Sequence, residues 1–458
     1  MPKLEEIVAL CKRRGFVYPS SEIYGGLANA YDYGPLGVEL LRKIKELWWK
    51  RFISQRADMV GLDSQIILHP KTWEASGHVT AFFDPLVEDK ISHQRYRADH
   101  LLEAWLQKHP QTPAIVVEDL SLEEMQQLIK KFKIKSPQGN ELTEPKKFDL
   151  LFETSLGIIA GQKSSAYLRG ETAQGIFSNF KQITDSTRVK LPFGVGQIGK
   201  SFRNEITTGQ FVFRTFEFEQ AEIEYFFDPE QSNWQKLLKT WQQQMWDFVT
   251  KDLGVRAENL RWRRHTDKER SHYSQDTYDL EYHFSFGWKE LWGVAYRTDY
   301  DLKQHQKFSG VNLNYKDPQT NREFIPHVIE PAVGINRLFL MILTDSYRQE
   351  PERISLKLPQ ALAPYQIAVF PLLANKPELV SKAKQIYTEL QSDFTVYWDD
   401  RGNIGKRYRY QDEMGTPFCV TVDFDSLEDQ AVTVRERDSM KQERIAISKL
   451  KSYFQKQP

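Results

Sequence analysis

Residues 217–225 read Glu-Phe-Glu-Gln-Ala-Glu-Ile-Glu-Tyr, which puts four carboxylates into a stretch that otherwise reads as a β-strand. Glu is a poor strand former, so its repetition here needs a reason. Alternate residues of a strand share a face. Arg214, Phe216, Phe218, Gln220, Glu222 and Glu224 therefore fall on one side, and Phe213, Thr215, Glu217, Glu219, Ala221, Ile223 and Tyr225 on the other. A carboxylate buried alone is very costly, so such a face needs water or cations. Two readings fit. One is a sheet face open to solvent and covered by surface ion pairs. The other is a polar sheet that binds a cationic and phosphorylated ligand, with Arg203 meeting phosphate bidentately and Phe218 offering a flat face to a base.

Three further segments carry chemistry-bearing residues. Residues 169–175 (Arg-Gly-Glu-Thr-Ala-Gln-Gly) put Glu171 just ahead of an apolar run, where a helix first-turn acid is the ordinary reading. Residues 328–337 run from a strand end through a turn into an apolar helix that carries Arg337 in its first turn. A cation there opposes the helix dipole and needs an anionic partner, either a surface acid or a polyphosphate. Residues 290–302 hold Glu290, Asp299 and Asp301, acids of the kind that bind Mg²⁺ together with phosphate oxygens. His265, His272 and His283 lack metal-ligand spacing and read as core or hydrogen-bonding histidines.

Composition limits the partners. The chain of 458 residues carries 62 Lys+Arg and 62 Asp+Glu, so it does not hold nucleic acid by bulk charge. Local basic clusters remain: Arg256 to Arg264, and Arg401, Lys406, Arg407 and Arg409 interleaved with Tyr408 and Tyr410. The second suits phosphate contact with base stacking, or a solvated helix face. The two cysteines, Cys11 and Cys419, form no CxxC pair, which excludes a thiolate zinc site and a disulfide scaffold. No apolar run approaches the ~18 residues of a membrane span, and residues 1–14 do not read as a signal peptide. A cytoplasmic protein that binds no membrane is expected.

The periodicities place a helix at 38–52 after a Gly- and Pro-rich turn, and a short strand at 66–68. Residues 84–148 change character and read as an insertion, with helices at 94–108 and 122–133 and a strand at 115–117. Long antiparallel strands are expected at 191–205 and 211–227 around a turn at 207–210. A helix follows at 234–251, then strands at 278–286 and 291–297, and a strand that becomes a helix near Gly334. This is an α+β pattern. Beyond a linker at 358–364 come strand 366–370, helix 377–391, strand 395–398, helix 404–414, strands 418–423 and 432–435, and helix 441–454. The division expected is 1–83 with 149–358 as one domain, 84–148 as a subdomain within it, and 359–458 as a small α/β domain.

Taken in order, these segments resemble the dimeric glycyl-tRNA synthetase family of class II aminoacyl-tRNA synthetases. Residues 15–37 are similar to that family's N-terminal stretch, and 48–78 to its motif 1, the dimer-interface region. Arg97-Ala98-Asp99 and residues 171–177 (ETAQGIF) resemble its substrate-pocket segments. Residues 202–205 (FRNE) and 217–227 resemble motif 2, and 330–337 (EPAVGINR) motif 3. Residues 402–408, 412–418 and 432–438 resemble its anticodon-binding domain. The resemblance implies an antiparallel class II catalytic domain bearing an insertion, and a C-terminal α/β anticodon-binding domain. It also implies a homodimer that uses ATP with Mg²⁺, glycine and tRNA(Gly), and needs no zinc.

The same resemblance implies residue roles. Arg203 and Arg337 are the catalytic arginines, on the α- and γ-phosphates of ATP. The ATP site would also include Asn204, Glu205, Phe213, Arg214, Phe218, Glu290, Leu291 and Gly334, with Phe218 stacking the base and Glu290 serving Mg²⁺. Glycine would be held by Glu171, Glu222 and Glu330 around its ammonium, with Arg97, Phe218, Gln220, Ala332 and Gly334 lining the pocket. Arg401, Lys406, Arg407 and Arg409 would meet tRNA. The chain departs from the family at Phe216, where Arg is expected, at Gly170, where Pro is expected, and at Ala332, where Ser is common. A synthetase paralogue with weakened activity, or a nucleic-acid-binding accessory protein on the same fold, is therefore the alternative. A pure binder has no need to keep Arg203 and Arg337.

Overall fold

The glutamate-rich strand lies inside the largest sheet, and its two faces have opposite fates. The computed structural model describes residues 1–112, 115–117, 120–157, 164–206, 209–267, 270 and 273–457. Among these, seven strands form that sheet: β1 (Met59–Gly61), β2 (Phe193–Phe202), β3 (Glu217–Phe227), β4 (Leu260–Arg264), β5 (Asp276–Phe284), β6 (Gly287–Thr298) and β7 (His327–Gly334). Their order is β4-β5-β6-β7-β3-β2-β1. All neighbours are antiparallel except β1 and β2.

Ala221, Ile223 and Tyr225 of β3 enter the main core, and Phe218, Gln220 and Glu222 line a cavity on the other side. The main core also takes in α1 (Leu4–Arg14), α2 (Pro35–Trp49), α4 (Trp234–Asp247) and α6 (Ile335–Ser346), while α3 (Ala173–Ser186) and α5 (Tyr300–Ser309) belong to a neighbouring cluster. Pro35 opens α2, where its missing N–H costs nothing. Leu36, Leu40, Leu41, Ile44 and Trp48 then make one buried stripe. Helix α6 is apolar almost all round and is buried nearly throughout, as such a helix must be.

Residues 84–148 contribute two helices, Ala98–Lys108 and Leu122–Lys131, and part of a three-stranded sheet. Val87, Leu102, Met125 and Ile129 form a separate small core there. Residues 115–117 are not a strand; Val117 is instead buried in that core. The helix expected from 94 begins only at Ala98, because Arg95–Arg97 pairs with Leu86–Glu88 as a strand.

The C-terminal part is a five-stranded mixed sheet of β8 (Ile367–Pro371), β9 (Val396–Trp398), β10 (Phe418–Val422), β11 (Ala431–Glu436) and β12 (Gln442–Ala446), ordered β9-β8-β10-β11-β12. Helices α7 (Pro377–Leu390) and α8 (Ile404–Met414) belong to the same part. Asp412 of α8 joins it to the rest by accepting from Arg353 Nη1 at 2.8 Å, and is held within its own part by Arg435 at 2.8 and 3.0 Å. Glu413 accepts from Arg14 Nε at 2.7 Å.

Two expectations fail here for backbone reasons. Residues 211–216 do not extend the long strand. Gln210 and Phe211 both have positive φ, and Phe211–Phe213 form a 3₁₀ turn that buries all three side chains. The turn expected at 207–210 includes residues 207 and 208, which lie outside the described residues. The helix expected at 441–454 forms only in its second half. Gln442–Ala446 pairs with β11, and the helix begins only after it, as a 3₁₀ turn at Ile447–Lys449 followed by an α-helix at Leu450–Gln455. Arg444 fixes this hairpin by reaching Asp423 at 2.7 Å and Asp429 at 2.7 Å, a non-local gain that overrides local helix propensity.

Gly37 shows how closely the N-terminal turn packs on α2. A Cβ there would lie 1.9 Å from the Phe16 carbonyl oxygen. Gly37→Ala should therefore cost about 1–3 kcal/mol, the range for overpacking, read as a lower denaturation midpoint. An unchanged midpoint would contradict the packing described.

Candidate active site

One cavity of about 260 Å³ opens on the sheet face that carries Phe218, Gln220 and Glu222. Its two ends differ in charge. At one end are the arginines. Arg203, just past β2, donates Nε to the Gly170 carbonyl at 3.0 Å, and its guanidinium lies 5.4 Å from the Phe218 ring. Arg337, in the first turn of α6, donates Nη1 to the Glu290 carbonyl and to Glu290 Oε2, both at 3.0 Å. Its guanidinium stands 4.5 Å above the Phe213 ring. The anionic partner that a helix-start cation requires is thus Glu290. Burial raises the Glu290 pKa, but the charge and hydrogen bond of Arg337 outweigh that and hold it below the usual carboxylate value. Arg214 Nε lies 3.9 Å from Glu205.

At the other end are the acids. Glu171, Glu222 and Glu330 all line the cavity. Glu222 is 2% exposed and accepts at Oε2 from the Thr172 N–H at 3.1 Å and from the Thr172 hydroxyl. Glu171 accepts from Gln174 Nε2 at 2.9 Å and meets His78 Nε2 at 3.4 Å. Arg297, 1% exposed, donates twice to Asp301 at 2.8 Å and once to Glu330. Glu222, Glu224 and Glu330 each bring an oxygen within 4.8 Å of the others.

The carboxylates respond differently to this crowding. Burial alone would raise Glu171, but His78, Arg297 and the Gln174 hydrogen bond overcome it and hold Glu171 well below the usual range. Burial and the Glu171 charge push Glu222 up to about 7. Burial, with Glu222, Glu171 and Asp301 nearby, pushes Glu330 up to about 8 against the pull of Arg297. This end of the cavity is therefore short of positive charge.

Arg203, Glu205, Phe213, Arg214, Phe218, Gln220, Glu290, Ala332, Gly334 and Arg337 join Glu171, Glu222 and Glu330 around this one cavity. Arg97, Asn204 and Leu291 do not line it. Arg97 is taken up by Asp84 at 2.8 Å and Asp99 at 2.6 Å. The Asn204 N–H donates to the Leu150 carbonyl at 2.8 Å. Leu291 turns into the core, as its alternation with Glu290 along β6 requires.

Other expectations need correction. Asp301 is no metal ligand candidate, because Arg297 and Gln174 already saturate it. Asp299 pairs with Lys303 at 2.7 Å. Phe216 does not stand beside the cavity. It precedes β3, so the strand alternation does not reach it, and it packs edge-on to Phe152 around a second cavity. His265 hydrogen-bonds Asp279 at 2.8 Å, and His283 stacks on Trp288; His272 lies outside the described residues. The arginines of 256–264 are not a bare basic patch, since Asp345, Glu281, Asp279 and Asp276 pair with them.

On α8 and the turn before it, Arg401, Lys406 and Arg409 are exposed. Arg407 is not, and its guanidinium is spent on the backbone carbonyls of Pro371, Asp400, Arg401 and Gly402. Tyr408 and Tyr410 are half-buried and engaged with Thr421 and Arg14. Sequence reasoning missed Arg297, Gln174, Thr172 and His78 as groups that hold the acidic end together. The one local signal was the pair Arg297 and Asp301, four residues apart across a strand end and a helix start.

Comparison with known proteins bears on this geometry. Residues 156–347 match the family described as "tRNA synthetase class II core domain (G, H, P, S and T)". Residues 366–457 match the one described as "Anticodon binding domain". The chain is 49% identical over 463 residues to a protein of Alkaliphilus oremlandii named glycine–tRNA ligase, covering 98% of this chain and 97% of the relative. It is 49% identical to the protein of that name from Caldanaerobacter subterraneus, covering 99% and 98%. It is 48% identical to the one from Bacillus anthracis, covering 100% and 99%.

The raised carboxylates have a measurable consequence. Between the ordinary Glu value of 4.5 and about 7 or 8, the folded chain holds protons on Glu222 and Glu330 that the unfolded chain has released. More protons in the folded state means stability falls as pH rises through that window. The melting temperature without ligand should therefore fall from about pH 6 to about pH 8.5, and Glu330→Gln should make the fall shallower. A melting temperature flat across this range, or the same slope in the variant, would contradict the assignment.

Proposed function

The chain belongs to the glycine–tRNA ligase family of class II synthetases, and on that premise we propose a role for each group around its cavity. The protein is an aminoacyl-tRNA ligase: it activates glycine with ATP to glycyl-adenylate and transfers the glycyl group to the 3′ end of its tRNA. The observation that carries the residue assignments is the polarity of the cavity. Arginines at one end suit a polyphosphate, and three acids at the other suit an ammonium.

In the first step a carboxylate oxygen of glycine attacks the α-phosphorus of ATP in line with the departing pyrophosphate. In the second, the terminal ribose hydroxyl of tRNA attacks the adenylate carbonyl and AMP leaves. Neither step needs a protein nucleophile. Both need reactants held in attack geometry and charge neutralised where it develops. Arg203 holds the α-phosphate, and Arg337 leaves Glu290 to take the γ-phosphate. Phe218 stacks the adenine, Glu205 lies near its amino group, and Arg214 assists at the phosphates.

Glu290 and Asp279 converge on one spot: a Cβ placed on Gly293 would lie 3.8 and 3.9 Å from their oxygens. Such hard oxygen donors fit Mg²⁺ arriving with ATP, which would neutralise phosphate charge there. Glu171, Glu222 and Glu330 surround the glycine ammonium. Because glycine has no side chain to grip, selectivity rests on satisfying this ammonium and on leaving larger residues no room. The energetic limit of ~1–3 kcal/mol applies to added methylene contacts, not to exclusion from a filled pocket.

The remaining assignments follow the same premise. Residues 1–83 with 149–358 form the catalytic domain, 84–148 an inserted subdomain and 359–458 the anticodon-binding domain, where Arg401, Lys406 and Arg409 face tRNA. The assembly is a homodimer, with residues 48–78 in its interface as the family resemblance implies. No helix among the described residues is long and apolar enough to cross a membrane, and we assign the protein to the cytoplasm.

ATP–pyrophosphate exchange measured with each of the twenty amino acids tests this reading. Exchange is expected with glycine alone, and Arg337→Ala should reduce it by about 100-fold or more, as for loss of a transition-state contact. Exchange with no amino acid would sink the ligase reading, and full activity in Arg337→Ala would remove the γ-phosphate role.

A further inference from the structure

Glu224 is the buried carboxyl that the mechanism above leaves unused. It is 0% exposed, two residues beyond Glu222 on the same face of β3. Neither of its oxygens has a hydrogen-bond partner among the described residues. Its carboxyl nevertheless points into a polar cluster, within 4.8 Å of oxygens of Glu222 and Glu330.

The charged groups around it come from four elements. Glu222 shares β3, Glu330 is on β7, Arg297 on β6 and Asp301 on α5. Glu171, ahead of α3, faces Glu222 and Glu330, and His305 of α5 stands one step further, on Gln174 Oε1 at 2.8 Å. Arg297 is the guanidinium in this group, and its donors go to Asp301 and Glu330. An ionised Glu224 would be a dehydrated anion with no donor, packed against other anions, and proteins do not tolerate that arrangement. A carboxylic acid, by contrast, brings a donor of its own to neighbours that are acceptors.

We propose that Glu224 is a permanently protonated positioning residue for glycine binding, whose O–H is shared with Glu330, directly or through one water, and holds that carboxylate beneath the substrate ammonium. Glu330 is then fixed from two sides, by Arg297 on Oε2 and by Glu224 from below. Burial and the neighbouring charge of Glu330 push Glu224 upward, in line with this geometry. The inference rests on the ligase reading for its glycine role, but the proton itself does not depend on that reading.

The test uses the full chain with carboxyl-labelled glutamate. Infrared spectra are taken at about pH 9, above the values of about 7 and about 8 at which Glu222 and Glu330 give up their protons. A protonated-acid carbonyl band should persist in the wild type and vanish in Glu224→Gln. In ATP–pyrophosphate exchange, Glu224→Ala should raise the KM for glycine about tenfold or more with little change in the KM for ATP. Glu224→Gln, which keeps a neutral donor, should recover most of that loss, whereas Glu222→Gln, which removes a charge, should not. Absence of the band, or a glycine KM in Glu224→Gln as high as in Glu222→Gln, would overturn the proposal. If Glu224→Ala does not fold, the band and the Gln variant still decide it. If the wild type shows no glycine-dependent exchange, the ligase reading fails while the band still reports on Glu224.

Discussion

The buried guanidinium of Arg297 holds the acidic end of the cavity together. It lies between Asp301 and Glu330, at 1% exposure, and stacks 3.8 Å from the Tyr273 ring. Removing one partner of such a pair leaves an uncompensated buried charge, which typically costs 3–5 kcal/mol. Through Asp301 the clamp reaches Gln174, and through Gln174 it reaches Glu171 and His305. One cation on β6 thereby links side chains on β7, α3 and α5.

On the roles proposed above, that arrangement serves the binding of the smallest amino acid. Glycine has no side chain to recognise, so the proposed site would bind what glycine shares with every amino acid, its ammonium. A floor with more carboxyls than cations supplies an attraction that is complete only when an ammonium arrives. Until then protons stand in for it. The raised values of Glu222 and Glu330 and the unpartnered Glu224 are three signs of the same charge deficit. The arginine end is built the opposite way: Arg337 is paired with Glu290, and in the proposed role a polyphosphate would replace that acid.

Much of this was legible in the sequence where local pattern and structure agree. The switch from strand to helix at Gly334 follows from apolar spacing, α8 runs between the cap residues Asn403 and Gly415, and the two faces of β3 follow from its alternation. What was not legible depends on approach from distant parts of the chain. β12 is a strand only because β11 lies beside it. Phe216 leaves the cavity because Gln210 and Phe211 turn the backbone before the strand begins. Arg407 sits among exposed basic residues in sequence, yet four backbone carbonyls draw it inward. Arg297 reads as an ordinary strand residue with Asp301 four positions on, until Glu330 is brought to it from β7.

In the proposed site the acidic end of the cavity carries protons that the ammonium displaces. Calorimetric titration of a non-hydrolysable glycyl-adenylate analogue at about pH 7.5, in buffers of different ionisation enthalpy, measures that displacement directly. Binding should release a substantial fraction of a proton or more to the buffer, seen as an observed enthalpy that changes linearly with the buffer's own. An observed enthalpy that is the same in every buffer would show that the carboxylates are already ionised, and would contradict the account.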